Sequence, residues 1–388
     1  MAFSCHLCCH PQCKRLHLLL FSFCLCPCCR IVKGRTSRDN QNDKDKNEDM
    51  IRIEDKSMCS GCTACLAVCP HQAISMKPDA LGFLYPEIDM DRCTDCGLCE
   101  KACDFVCSSS IVASVPDEIH VFAAMNKDAS VLESSQSGGV FSALAKKIIS
   151  EGGTVYGAAF NPDFTVSHMR ADTLEGCRAF MGSKYVQSNL SDVFKKVRRD
   201  LAQGRKVLFT GTPCQTAGLT AFLPEHLRTG LLAVDFICHG VPSPFVWRDY
   251  VSYMKRKGEL SSVSFRDKSV GGWKIHAESF AYVDGRKLVR ETYKVMYYKN
   301  VMLRHSCASC PYDISRRRGD LAIADFWGLE EAMPHLDGVQ GASMVLPFTE
   351  KGRLVLEEVS ADLYLEKVCL TPDFIYRRNP NLLPPRPL

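Results

Sequence analysis

No hydrophobic run in the 388-residue chain is long enough to cross a bilayer. The most apolar stretch, near Leu16–Leu25, stops well short of the ~20 residues that a spanning helix needs. A basic flank accompanies that stretch, but cysteines crowd it and no A-x-A-like site follows, which argues against a secretory signal. Charge of one sign is also scarce. Of a formal net charge of +4, +3 falls in residues 1–49, which carry eight Lys/Arg against five Asp/Glu, and the remainder is +1. A basic face for nucleic acid is thereby excluded, and Arg316–Arg318 reads as a solvated turn or an anion contact. The G-x-G-x-x-G fingerprint of dinucleotide-binding folds is missing as well.

What the chain has in excess is cysteine. Hydrophobic content of 46% and charged content of 24% are ordinary for a globular protein, but 23 cysteines are not. Residues 1–49 hold eight of them without regular spacing, ahead of the polar stretch TSRDNQNDKDKNED. This leader reads as a gene-model artefact before a start at Met50, with a disordered, metal-binding tail as the alternative, and it takes no part in the fold reasoning. The other cysteines fall largely into tight runs in a long chain, which points to metal and to a reducing compartment, the cytoplasm, rather than to a disulfide framework.

CSGCTACLAVCP places Cys59, Cys62, Cys65 and Cys69 in the pattern C-x2-C-x2-C-x3-C-P, and CTDCGLCEKACD repeats it 34 residues later with Cys93, Cys96, Cys99 and Cys103. In this bacterial ferredoxin run, three cysteines hold one cubane and the fourth reaches across to the other. One [4Fe–4S] is therefore assigned to Cys59, Cys62, Cys65 and Cys103, and a second to Cys93, Cys96, Cys99 and Cys69. Zinc also uses C-x2-C pairs, but two complete four-cysteine runs with a third step argue against it. One departure is visible: Asp104 follows Cys103, where ferredoxins often carry proline.

From about Asp117 strands alternate with helices. EIHVFAAMN, TVYGAAF, TVSHMRA, KVLFT, GLLAVDF, GDLAIADFWG and SMVLPF read as strands; SGGVFSALAKKIISEGG and SDVFKKVRRDLAQG read as helices; 261–298 reads as hairpins. The fold class is α+β, with a small ferredoxin-like module at 50–112, a mixed α/β domain at 117–375 and a proline-rich tail at 376–388. Cys214, Cys238, Cys307 and Cys310 lie in or beside turns of the larger domain and supply the four soft ligands of a further cubane. A Cys/His nucleophile (Cys214 or Cys238 with His239), a redox pair or plain buried thiols remain open on spacing alone. SSQSGG before a helix offers N–H groups to a phosphate, or merely a cap, and Lys184 with Tyr185 would clamp a nucleotide or serve as surface and core.

In this order, SGGVFSALA, GSKYVQS, GTPCQTAGL, ICHGVPSP, SFRDK with GW, CASCPYD and GDLAIADFWG resemble the family of beta subunits of coenzyme F420 hydrogenases and dehydrogenases. The resemblance covers nearly the whole chain from Met50. It implies FAD and a third [4Fe–4S] on Cys214, Cys238, Cys307 and Cys310. It also implies that Ser137, Gly138, Gly139, Lys184, Tyr185, the turn from Thr210 through Gly211 and Thr212 to Gln215, and His239 surround the flavin. Arg266, Lys268 and Trp273 would line a substrate mouth or form a structural hairpin. The implied activity is an iron–sulfur flavoprotein oxidoreductase that passes electrons between an F420-like carrier or other small-molecule substrate and a ferredoxin or another oxidoreductase subunit. Two alternatives stand beside it: a reductase of a sugar intermediate in surface polysaccharide synthesis, and a non-catalytic electron-transfer subunit.

Overall fold

The computed structural model describes residues 50–109 and 114–383; the leader at 1–49 and the last five residues of the expected tail lie outside them. Residues 50–109 build the small module. A hairpin of β1 (Ile74–Pro78) and β2 (Leu84–Ile88), paired from Ile74↔Ile88 to Pro78↔Leu84, separates the two cysteine runs. Each run turns into a short helix, Ala64–Val68 or Leu98–Lys101. Asp104–Ser109 adds a third.

The larger domain opens with β3 (Ile119–Asn126), β4 (Thr154–Phe160), β5 (Val166–Ala171), β6 (Val207–Gly211) and β7 (Leu231–Phe236). A separate antiparallel sheet contains β8 (Leu260–Ser264), β9 (Glu278–Tyr282) and β10 (Lys287–Arg290). The chain then returns through β11 (Leu321–Asp325), β12 (Ser343–Pro347) and β13 (Leu363–Leu370). Eight strands form one sheet in the order β13-β3-β12-β11-β7-β6-β4-β5. Its centre is parallel, with β11, β7, β6 and β4 running together, and β3 shares their direction because β12 is antiparallel to both β3 and β11.

Burial of both sheet faces explains the apolar strands. In β6, Leu208 packs with the Val140–Ser150 helix on one face, while Val207 and Phe209 pack with the Val193–Ala202 and Pro213–Phe222 helices on the other. Every residue of β6 is buried, as expected of a central parallel strand.

Two expectations change. The 261–298 region contains β8's end, β9 and β10, but it closes with the helix Thr292–Tyr298, whose buried Tyr293 and Tyr297 enter the core beside Trp247. Residues 376–383 do not start a tail. The helix Pro372–Arg378 continues through 376, and Leu382 and Leu383 are buried against Phe326 and Ile375. The prolines suggested an extended end, but these apolar side chains anchor it to the sheet.

Candidate metal centres and redox site

In a sheet with a parallel centre, sites gather where the strands end at their carboxyl edge. Here the loop after β6 carries Cys214, the loop after β7 carries Cys238 and His239, the loop after β3 carries Ser137–Gly139, and β11 ends at Asp325.

The sequence GTPC sets Cys214 in place. Thr212 is extended and caps the Pro213–Phe222 helix, Pro213 occupies the first turn, and the Thr212 N–H donates to Gln215 Oε1 at 2.9 Å in a capping box. Thr212 Oγ1 lies 3.1 Å from Cys214 Sγ. The Cys238 and Cys307 loops are stitched together: the Arg304 N–H donates to the Val241 carbonyl at 3.0 Å, and the Val241 N–H to Cys307 Sγ at 3.4 Å. Gly240, at φ +146°, permits this approach, since a Cβ would meet Leu303 Cδ1 at 2.7 Å.

As free thiols, Cys214, Cys238, Cys307 and Cys310 are pushed up by burial and, for Cys238, further by the other three sulfurs, with Cys307 reaching about 12 and Cys310 about 11. Four convergent sulfurs that resist joint ionisation form a donor set suited to a cationic metal core. Two guanidiniums border the group. Arg304 lies near Cys214 and Cys307, and Arg317 near Cys310. The side chain of Arg317 is buried, paired through Nη1 with Asp235 at 2.5 Å, while its Nε and Nη2 have no protein partner among the described residues. Of the two readings of 316–318, the anion contact holds: Arg316, Arg317 and Arg318 face Asp313, Asp235 and Asp104, and Arg317 is buried. The residues fit a [4Fe–4S] cluster.

The module brings together the same cysteines that the spacing grouped. Burial, followed by neighbouring sulfurs, raises the Cys62 thiol; its neighbours include Cys103, Cys59 and Cys214. Cys65 feels Cys62, Cys59 and Cys103 in the same way. Cys69, Cys93, Cys96 and Cys99 line one pocket with Met50 and His71. Backbone donors point at sulfur there: Ile51 N–H to Cys99 Sγ and Ala73 N–H to Cys69 Sγ, each at 3.3 Å. Both groups therefore suit iron–sulfur clusters, whose sulfurs accept such bonds.

The module is sewn to the larger domain. The Arg304 guanidinium donates to the Cys59 and Leu84 carbonyls, Gln187 to the Ser60 carbonyl at 3.1 Å, and Ser243 to the Leu81 carbonyl at 2.5 Å. Asp104, the residue that departs from the ferredoxin pattern, accepts from Ser108 at 2.8 Å and Tyr312 at 3.0 Å, and faces Arg318 at 3.3 Å. A proline there could accept none of these bonds through its side chain.

The residues expected around a flavin behave less uniformly. Ser137 Oγ donates to the Ala342 carbonyl at 2.5 Å and the Gly138 N–H to Ser343 Oγ at 2.9 Å. Gly138 has a packing role, since a Cβ would lie 2.0 Å from the Ala124 carbonyl oxygen. Gly139 is the left-handed N-cap of Val140–Ser150. Lys184 Nζ is tied to the Ala179 and Met181 carbonyls at 2.8 and 2.7 Å, and burial lowers its pKa to about 7. Thr210 Oγ1 donates to the Tyr156 carbonyl, Gly211 ends the buried β6, and Gln215 Nε2 donates to Ser188 Oγ. His239 bonds Asn300 Oδ1 at 2.7 Å. Among the described residues, these groups are engaged with protein partners.

Next to them lies a wall of packed aromatic rings. Tyr185, His276, Tyr297 and Tyr298 line a small cleft, with Tyr185 and Tyr297 centroids 4.8 Å apart and Tyr185 and His276 stacked at 6.2 Å. Tyr297 bridges to the Cys238 loop through the Gly240 carbonyl at 3.5 Å. Sequence reasoning flagged only Tyr185 of these; the tyrosines of TYKVMYY sit in a helix that periodicity had obscured. Buried Arg266 pairs with Asp325 at 2.5 Å and leaves its Nε unpartnered among the described residues. Trp273 is buried and stacked on Trp327 at 5.0 Å, so it braces this wall; Lys268 Nζ is held by the Leu132 and Gln340 carbonyls.

Comparison with known proteins gives these groups a context. Residues 58–107 match the 4Fe-4S dicluster domain, and residues 204–372 match the C terminus of the beta subunit of coenzyme F420 hydrogenase/dehydrogenase. The two matches set a dicluster module ahead of a region similar to the C terminus of F420 hydrogenase/dehydrogenase beta subunits. The F subunit of the F(420)H(2) dehydrogenase of Methanosarcina mazei is 26% identical over 203 residues, 47% of this chain and 55% of that protein. The A-type iron-sulfur subunit of the CoB--CoM heterodisulfide reductase of Methanocaldococcus jannaschii is 42% identical over 65 residues, 13% of this chain and 10% of that protein. A chain of the F420-reducing [NiFe] hydrogenase complex from Methanosarcina barkeri superposes with a TM-score of 0.46 at 18% identity, covering 64% of this chain and 81% of that one. The chain therefore spans about half or less of the length of these curated relatives.

Proposed function

We propose that the protein is an iron–sulfur oxidoreductase subunit that relays single electrons through three cysteine groups between an aromatic substrate pocket and a redox partner. The observation that carries this reading is adjacency. Cys62 of the first group packs against the helix that carries Cys214 of the third, its Sγ meeting the face of Gly218 one turn along from Cys214. The third group would consist of Cys214, Cys238, Cys307 and Cys310, the first of Cys59, Cys62, Cys65 and Cys103, and the second of Cys69, Cys93, Cys96 and Cys99.

[4Fe–4S] clusters on these sulfurs would supply one-electron steps, and a flavin would supply exchange between a hydride and single electrons. The protein contributes burial and orientation. The rings of Tyr185, His276 and Tyr298 offer stacking faces, and Arg266, held by Asp325, offers a cation beside them. The likeness to part of an F(420)H(2) dehydrogenase favours an F420-like hydride carrier as substrate. The exposed Cys96 marks the end at which a ferredoxin or another subunit would dock. Fifteen described cysteines without a disulfide suit a reducing compartment such as the cytoplasm.

Anaerobic purification of the chain with iron, sulfide and flavin quantified tests this. About twelve irons per chain are expected, and about eight would remove the third cluster. Cys214→Ser should lose or convert one cluster and leave the other two. Clusters without flavin, in a protein that F420H2 cannot reduce, would leave an electron-transfer subunit with no substrate of its own.

A further inference from the structure

Arg304 is almost fully buried, at 1% exposure, and its backbone and side chain serve different cysteine groups. Its backbone belongs to the third group: the N–H donates to the Val241 carbonyl, and its carbonyl accepts the Cys307 N–H at 2.9 Å. Its guanidinium also lies near Cys214 and Cys307, but its hydrogen bonds run to the first. Nε donates to the Cys59 carbonyl at 2.7 Å, Nη2 to the Leu84 carbonyl at 3.0 Å and to Cys59 Sγ at 3.6 Å, and Nη1 to Gln187 Oε1 at 3.0 Å. The rings of Tyr85 and Phe83 cover it, with centroids at 4.2 and 5.5 Å. Among the described residues no carboxylate pairs with it, so its charge is directed at sulfur and carbonyl oxygen.

We infer that Arg304 sets the reduction potential of the cluster on Cys59, Cys62, Cys65 and Cys103 and fixes its distance from the third group. This rests on the cluster reading above. A cubane on four thiolates gains one negative charge when reduced, and a fixed cation 3.6 Å from one ligand sulfur stabilises that reduced state in a low-dielectric setting. The potential of a cluster held there would thereby be raised. Lysine would retain the charge but not the planar fork that reaches the Cys59 carbonyl, the Leu84 carbonyl and the sulfur together.

The test is an anaerobic redox titration followed by EPR on the full chain, Arg304→Gln and Arg304→Lys, with iron counted in each. The signal of the first cluster is assigned by its loss in Cys62→Ser. Arg304→Gln with its iron retained should shift that midpoint to more negative potential, and Arg304→Lys should restore most of the shift. An unchanged midpoint in an iron-replete Arg304→Gln protein, or an equal shift in Arg304→Lys, would overturn the inference while leaving the clusters intact. Should Arg304→Gln lose its iron, the wild-type chain grown with guanidino-15N arginine decides the matter. A 15N coupling on the reduced first cluster in pulsed EPR supports the assignment, and its absence defeats it. A wild-type chain without the eight irons of the module would instead sink the cluster reading itself.

Discussion

Cys62 and Cys96 hold the same place in two copies of one motif, yet their surroundings are opposite. Cys62 packs under the Pro213–Phe222 helix, where a Cβ on Gly218 would meet its Sγ at 2.7 Å. Cys96 is exposed at the mouth of a pocket, on a segment that carries Asp89, Asp91 and Asp95. Spacing fixes which sulfurs can share a cluster, whereas the large domain decides which cluster is enclosed and which faces solvent. The enclosed one reads as a relay and the open one as a terminal.

The sharpest way to break this contrast is at Gly218. Glycine inside a helix normally costs about 1 kcal/mol against alanine, so Gly218→Ala would be expected to stabilise an isolated helix. Here the close approach to Cys62 wins, because a ligand sulfur cannot retreat without leaving its cluster. Gly218→Val should lower bound iron by about four per chain and spare the second cluster, as read by iron analysis and EPR. A protein with unchanged iron would mean that the helix and the first group are not in contact.

Asp104 provides the next largest effect. Its carboxylate holds Tyr312, whose ring packs edge-on against Phe105 at 5.9 Å, so Asp104→Ala strands a buried phenol and releases Arg318. The expected loss is about 1–3 kcal/mol in denaturant unfolding, with faster hydrogen exchange over Asp104–Ser109 and no change at Cys96. Stability equal to the wild type would show that the module docks without this contact.

The cysteine runs were legible because cluster ligation imposes a local spacing, and the strands because buried parallel strands are continuously apolar. The third group was not legible from spacing. Cys214, Cys238 and the Cys307/Cys310 pair meet only because successive parallel strands end at one edge, so family resemblance had to supply what tertiary structure does. Gly218 and Arg304 carried no signal at all, since a lone glycine in a helix and an arginine before a cysteine are ordinary. SSQSGG left two readings open, a phosphate or a cap. Its glycines serve a tight approach to the Ala124 carbonyl and a helix cap, which only the tertiary structure shows.

A smaller effect should appear with pH in the wall behind the first group. His168 is buried; Nε2 lies 3.0 Å from the Thr210 carbonyl and Nδ1 2.8 Å from Ser188 Oγ, which also accepts from Gln215 of the Cys214 helix. Desolvation lowers its pKa from 6.5 to about 4. The unfolded chain therefore takes up a proton first as pH falls, and stability is lost between about pH 6.5 and 4. By pH 5.5 the loss should be about 1 kcal/mol relative to pH 7. His168→Gln should flatten that part of the profile in urea unfolding, and an unchanged slope would place the acid sensitivity elsewhere.

The smallest expected effect concerns the open cluster. Asp91 is exposed near Cys93 and Cys96 and enters no salt bridge among the described residues, so Asp91→Asn changes charge with little change in shape. At low ionic strength a cationic dye such as a viologen should exchange electrons with Asp91→Asn roughly twofold more slowly, and an anionic dye slightly faster. Above ~0.5 M salt both differences should vanish, because the Debye length falls to a few ångströms. The same substitution should leave the midpoint of the enclosed cluster unmoved. If instead the viologen rate is insensitive to Asp91 but falls in Arg304→Gln, electrons leave through the first cluster, and the assignment of relay and terminal must be reversed.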